Sequence, residues 1–354
     1  MTKRQITSLA CAAVAIASGL GAAAPSTGAV PHVVHPGESI QKAVDAARPG
    51  DTIFVAPGTY RESVLVTKAN LTLRGAGSST VIKPASATAR AANTCAKSGN
   101  GICVTGTAKK AVSRVTIRSL TLTGFKKSGV WASATDRLTV TGVTAKKNGV
   151  WGIAQQLSTR GVFRNNIVRD NGDAAIFIAN TVDKEGGATD TKGAVVAGNL
   201  LSGNRIGVTI RRVRNLSVHN NIVTANCAGV FVVGDESKPA AGDMTIHHNR
   251  VFKNNKYCAA NSRLPYLQGS GIVLTGSEST LVRANQVLDN VGASPLSGGI
   301  VLFKSFVGAS NTDNVIRDNQ VQGNKPADLA NQGNGTSNTF VRNECLASKP
   351  AGMC

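Results

Sequence analysis

Three groups of charged residues fall where loops must follow short apolar segments: Asp183, Glu185 and Asp190; Arg211, Arg212 and Arg214; Asp235 and Glu236. Carboxylates flanking a basic cluster can hold Ca²⁺ against an acidic substrate while an arginine abstracts a proton. On that reading Arg211 is the base, Arg212 contacts substrate, and Asp183, Glu185, Asp235 and Glu236 are the metal ligands. The competing reading is a salt-linked, solvated loop surface in which each pair contributes under about 1 kcal/mol. Lys253 and Lys256 border the same region. A second series is Arg118, Arg164, His219, His247, Arg283, Arg317 and Arg342, which recur at one offset in a repeated unit. Like charges in register repel, so such a stripe calls for an anionic partner or for neutral imidazoles at its two histidines. His247-His248 is a weaker metal pair, because adjacent residues on a strand face opposite sides.

The unit that positions these residues is marked by two columns of asparagine. Asn166, Asn199, Asn221, Asn249, Asn285 and Asn319 each have a second Asn five residues on, at Asn171, Asn204, Asn226, Asn254, Asn290 and Asn324. A short apolar alternation follows, as in Gly207-Val208-Thr209-Ile210 and Gly229-Val230-Phe231-Val232. The shortest repeat, Asn199 to Asn221, is 22 residues. A strand with a crossover helix needs about 30 or more. Three short strands per turn of a coil fit that length, and stacked turns place equivalent residues about 4.8 Å apart. An asparagine recurring once per turn then hydrogen-bonds to its neighbours as amide ladders do. Degenerate turns precede the repeats at Val115-Thr116-Ile117-Arg118 and Leu138-Thr139-Val140-Thr141, with Leu120 and Val143 in the ladder position and Asn148 in the second. Phe340-Val341-Arg342-Asn343 reads as a last partial turn.

Before the coils, Ile40, Ala43, Val44 and Ala47 follow helical spacing with Ser39 as candidate N-cap. Two alternating segments, Thr52-Ile53-Phe54-Val55 and Ser63-Val64-Leu65-Val66, flank an expected turn at Pro57-Gly58-Thr59-Tyr60. A coil needs such a cap, because its open end exposes strand edges and core to water.

The run SIQKAVDAARPGDTIFVAPGTYRESVLVTKANLTLRGAG, followed by the asparagine coils, resembles the right-handed parallel β-helix repeat proteins of the pectin-lyase-like superfamily, close to their NosD-like branch. The resemblance implies an all-β fold of three-strand coils with a short N-terminal capping helix. The expected layout is a signal peptide at 1–24, a cap and first coil at 25–84, coils at 85–348 and a tail at 349–354. It also implies that the strand after the second Asn lines the groove used for substrate in the superfamily's enzymes. Its outward positions here are Trp131, Phe177, Thr209, Phe231, Val273 and Val301, with Ser133, Ala179, Arg211, Val233, Thr275 and Phe303 in the next row. Trp131, Phe177 and Phe231 suit stacking on sugar rings, or cover by a loop or another subunit. The paired carboxylates of glycoside hydrolysis are missing. So are the aspartate-rich strands of polygalacturonases and the Asp/Gln/Arg set of pectin methylesterases; Asp173-Ala174-Ala175-Ile176-Phe177 resembles an esterase motif only superficially.

Residues 1–24 combine Lys3 and Arg4, an apolar stretch from Leu9 to Leu20 and Ala22-Ala23-Ala24, which reads as an export signal. Six cysteines follow it: Cys95, Cys103, Cys227, Cys258, Cys345 and Cys354. An even count in an exported chain implies disulfides; fifteen pairings are possible, and sequence neighbours are the natural choice. The net charge is +20, from 39 Lys and Arg against 19 Asp and Glu. Such an excess concerns partners rather than fold. No sequence-specific nucleic-acid signature accompanies it. The expectation is a secreted protein that binds anionic polysaccharide or a cell-envelope polymer through Arg164, His219, His247, Arg283, Arg317, Arg212, Trp131, Phe177 and Phe231. The alternative is a polyuronate lyase working with Ca²⁺ and Arg211.

Overall fold

The computed structural model describes residues 31–86, 92–333 and 335–354. The expected export signal lies outside them. Each turn of the coil contributes three short strands, as in Leu200–Ser202, Ile206–Arg211 and Val213–His219. Stacking yields a first sheet of 13 strands, containing Val213–His219, a second of 11 containing Leu200–Ser202, and a third of 11 containing Ile206–Arg211. Every coil pairs in parallel with the next: Val218 with Ile246, Leu201 with Val223, and Val208 with Val230. This is a parallel β-helix.

Two bends of each coil are built on the asparagines. The Asn221 side chain is only 1% exposed. Its Oδ1 accepts from the backbone N–H of Asn199 at 3.0 Å and from the Asn199 amide at 2.8 Å. Its own Nδ2 donates to the Val196 carbonyl at 3.0 Å and to Asn249 Oδ1 at 2.9 Å. The pattern repeats from Asn166 to Asn343, and in the second column from Asn148 to Asn324. The residue before each first-column Asn takes the left-handed conformation: Asn165, Asn220, His248, Ala284 and Asp318 have φ between 51° and 56°. That conformation costs a non-glycine residue roughly 1–2 kcal/mol. The amide bonds offset the cost and satisfy the buried donors at the corner. The second column ends on a carboxylate: Asp328 Oδ1 accepts from Asn324 N and Nδ2, and Oδ2 accepts from the N–H groups of Leu346 and Ala347.

The inner core is a column of aliphatic residues, with Ile117, Val140, Phe163, Val196, Val218, Ile246, Val282 and Ile316 from the first sheet alone. A second apolar layer lies outside the third sheet, where Phe177, Phe231, Val273 and Val301 pack with Leu267 and Leu296 from loops. Strands such as Ala174–Ala179 and Ser270–Thr275 are therefore buried on both faces.

The capping helix spans Ile40–Ala46 and closes the core with Ile40 and Val44. Ser39 caps it, its hydroxyl accepting from Lys42 N–H at 3.3 Å. The Glu62 carboxylate accepts from Ile40 and Gln41 N–H at 2.7 and 3.1 Å, where it also meets the positive end of the helix. The expected turn at Pro57–Tyr60 is instead largely a strand: Gly58–Arg61 pairs with Thr80–Lys83 in the second sheet. Disulfides join Cys95 to Cys103, Cys227 to Cys258 and Cys345 to Cys354, each cysteine to its sequence neighbour.

Candidate functional site

The third sheet and the loops over it enclose a cavity of about 440 Å³. Strand Ile206–Arg211 delivers Arg211 to its wall, and the bend at Arg212, with φ 51°, turns that side chain into the same space. Arg212 and Asp235 are 7% exposed each and meet at 2.5 Å. Glu185 adds a contact to Arg212 at 3.4 Å, and Arg212 donates to the Lys184 carbonyl at 2.8 Å. A charge pair this deep is retained only when both members keep partners. Arg211 donates to the Val182 carbonyl at 3.0 Å. Burial pushes its pKa down, helped by Arg212 and Arg263 and opposed by Asp235 and Glu185. Arg263 also lines the cavity and carries no ion pair among the described residues.

Asp173 stands on the opposite wall, its carboxylate accepting from Trp151 Nε1 at 3.2 Å. Burial raises its pKa, outweighing the Trp151 hydrogen bond and the charges of Arg205 and Arg263. Arg205 holds the covering loop by donating to the carbonyls of Ala259 and Pro265 at 2.6 and 3.3 Å. The sequence pattern gave no sign of Arg205, because it follows the second-column Asn204 and its partners lie more than fifty residues away. The weight of Asp173 was equally hidden: Trp151, its partner, comes from the preceding coil.

The structure divides the charged groups expected to act together. Arg214 leaves the cavity and pairs with Asp243 and Glu278. Asp190 bonds to the Asn215 amide and Lys192 N–H. Asp183 and Glu236 are exposed. Of the four carboxylates expected to hold Ca²⁺, Asp183, Glu185, Asp235 and Glu236, the structure brings Glu185 and Asp235 together on the Arg212 guanidinium and leaves Asp183 and Glu236 at the surface. No group of three or more His, Cys, Asp and Glu among the described residues is arranged for a metal. Nor are the aromatic residues open platforms. Phe177 and Phe231 line the cavity but are only 4% and 2% exposed, packed in the apolar layer beneath the covering loops. Trp131 is half-buried and stacks on Trp151, which stacks on Phe177.

The Arg/His stripe exists on the first sheet with interruptions. His219 pairs with His247, His247 with Arg283 and Arg283 with Arg317. Thr141 stands between Arg118 and Arg164, and Ala197 between Arg164 and His219. Val341, not Arg342, pairs with Arg317; Arg342 sits at the bend and binds Asp318 at 2.8 Å. The register slip has a simple origin, since Asn343 is the ladder rung and the stripe lies two residues before a rung. Arg74, facing Arg118, extends the stripe the other way. The rings of His219 and His247 stack at 4.8 Å. Burial pushes both pKa values down, His247 to about 4, with His219, Arg283 and His248 adding to the effect there. Both imidazoles are neutral at pH 7, which relieves the stripe. His248 does not face away from His247: its left-handed backbone brings the two Nδ1 atoms to 2.8 Å.

Among the described residues no helix is long and apolar enough to cross a membrane. Residues 59–184 match the family described as right-handed beta helix region, and residues 180–349 match the family described as periplasmic copper-binding protein (NosD). No curated protein sequence matches the chain. Among solved structures, the Azotobacter vinelandii mannuronan C-5 epimerase AlgE6 A-module is 18% identical, with 87% of this chain and 90% of that one covered and a TM-score of 0.57. The DFA-IIIase from Arthrobacter chlorophenolicus A6 is 15% identical, with 87% and 79% covered and a TM-score of 0.59. At these identities the likeness is one of fold. Coil length, parallel register, amide ladders and both family matches agree: the chain is a right-handed parallel β-helix repeat protein.

Proposed function

We propose that the protein is exported and binds acidic polysaccharide or a cell-envelope polymer, with an acidic sugar entering the cavity over the third sheet. The observation that carries this reading is the pair Arg211 and Arg263. Both line the cavity, and neither forms a direct ion pair among the described residues, the carboxylates of Asp173, Glu185 and Asp235 acting on them only at longer range. An acidic sugar supplies a direct anionic contact to them, while Phe177 and Phe231 in the cavity lining offer apolar contact to a ring. The net charge of +20 draws such polymers to the surface. The fold's neighbours include enzymes named for carbohydrate substrates, and three disulfides suit an oxidising compartment. The raised Asp173 and the lowered Arg211 are the two groups on which turnover would rest.

The test is retention of the protein on immobilised alginate and heparin, eluted by salt, with Arg211→Ala and Arg263→Ala alongside wild type. Weakened retention in both variants supports the reading; unchanged retention removes the cavity from it. Ultraviolet absorbance from unsaturated uronate, formed by wild type and lost in Arg211→Ala, would replace binding by lyase chemistry.

A further inference from the structure

A second concave surface lies on the second sheet in the N-terminal half, with a volume of about 940 Å³. Five cations line it, Arg61, Lys83, Lys146, Lys147 and Arg169, and no carboxylate does. Four of them form one column across five coils. Arg61 pairs with Lys83, Thr123 occupies the next coil, and Thr123, Lys146 and Arg169 continue in register. Beyond Arg169 the column changes to Ser202 and Thr224, so the charge stops there. A parallel column beside it reads Thr59, Val81, Thr121, Thr144 and Ile167. Arg169 is paired with Asp170 at 2.8 Å; the other four cations have no ion pair among the described residues.

We propose that this groove is a separate binding track for a linear polyuronate lying parallel to the coil axis. Like charges facing each other across adjacent strands destabilise the sheet, and an anion laid along the column removes that repulsion. The coil spacing of about 4.8 Å places cations on four of the five rungs over about 19 Å from Arg61 to Arg169, with Thr123 on the middle one. That spacing is near the length of one pyranose unit in an extended chain, so carboxylates on successive sugars fall opposite successive rungs, two cationic pairs separated by the Thr123 rung. The phosphates of a B-DNA strand advance 3.4 Å or so each along the helix axis while winding around it, so they do not keep step with a straight column. Nucleic-acid single strands are held by aromatic stacking, and no aromatic residue lines this groove. Thr121, Thr123 and Thr144 instead offer hydroxyls to sugar hydroxyls. The track lies on a different sheet from the cavity, which it approaches only at the coil shared by Arg169 and Asp173, and it does not rest on that cavity's role.

The experiment measures binding of oligoguluronates of two to ten residues to the full exported chain at low and moderate salt. The variants are Lys83→Glu with Lys146→Glu, and separately Thr123→Lys. The charge reversal is expected to lower affinity for chains of five or more residues by at least tenfold and to flatten its salt dependence. Thr123→Lys completes the column and is expected to tighten binding severalfold, a gain that misfolding cannot produce. Unchanged affinity in both variants overturns the proposal. So does duplex DNA competing as well as polyuronate at equal charge. Loss of binding in Arg211→Ala alone, with the charge reversal silent, also overturns it while leaving the cavity reading in place.

Discussion

Asn221→Ala isolates what one rung of the ladder contributes. The substitution leaves two buried donors of Asn199, its backbone N–H and one amide N–H, without the Oδ1 that accepts them at 3.0 and 2.8 Å. It also removes the donor facing the Val196 carbonyl and Asn249 Oδ1. A buried polar group left unpaired costs about 1–3 kcal/mol, so two stranded donors cost about 4 kcal/mol. The last rung provides an internal comparison. Asn343 accepts the same two bonds from Asn319, yet it is the final rung and is 7% exposed, so water can replace part of what is lost. Asn343→Ala should cost about 1–2 kcal/mol. A stacked coil can open in sections, so a single melting temperature is a poor readout. Native-state hydrogen exchange at the Asn199 amide is suitable, where 4 kcal/mol corresponds to roughly a thousandfold loss of protection. Equal costs at the two rungs, or a cost below about 1 kcal/mol at Asn221, would refute the view that the amides are the structural basis of the bends.

Two further outcomes follow from the same geometry. His247 is neutral in the folded protein down to a pKa of about 4, whereas an unfolded histidine protonates near 6.5. Stability from this site is complete above pH 6.5 and falls as the pH drops toward 4; partial exposure limits the loss to about 1–2 kcal/mol. An NMR titration of His247 with a midpoint at or above 6.5 contradicts this, as does an unchanged acid sensitivity in His247→Gln. At the other end of the molecule, Asp328→Ala strips the acceptor from four N–H groups in a site 2% exposed. The last coil should fray by about 3–5 kcal/mol, seen as faster exchange and proteolysis near Leu346 and Ala347 with the Asn199 amide still protected.

The ladders were legible because a constraint that repeats once per turn leaves a mark at a fixed spacing. Two columns five residues apart gave the coil, the outward rows and the stripe. What the spacing could not convey is where long inserts fold. The loops carrying Glu185 and Asp235 converge on Arg212, whereas Arg214, two residues on, joins Asp243 and Glu278 on another face. Both arginines look alike in the chain, and one residue of strand alternation and a left-handed bend separate their fates. The strand Gly58–Arg61 was hidden by Pro57-Gly58, a pair that usually marks a turn. The basic column on the second sheet escaped notice for a different reason. Its members are spaced unevenly along the chain, from Arg61 to Lys83 to Lys146 to Arg169, and only register aligns them.

Each amide in the ladders gives one proton to the rung of the next coil and another to a backbone carbonyl of an earlier one, while its oxygen accepts from the rung before, so the chain of amide-to-amide bonds has a sense, like a zipper that closes from one end only. The carboxylate of Asp328 suits the terminal position because it has no hydrogen to give. Between the two ends every rung presents the same face to its successor. Duplicating the segment 200–221 in frame would lengthen the prism by one storey without creating a new kind of junction. Such arrays grow and shrink in whole turns, and a cationic track or loop-roofed chamber moves along the axis as an intact block.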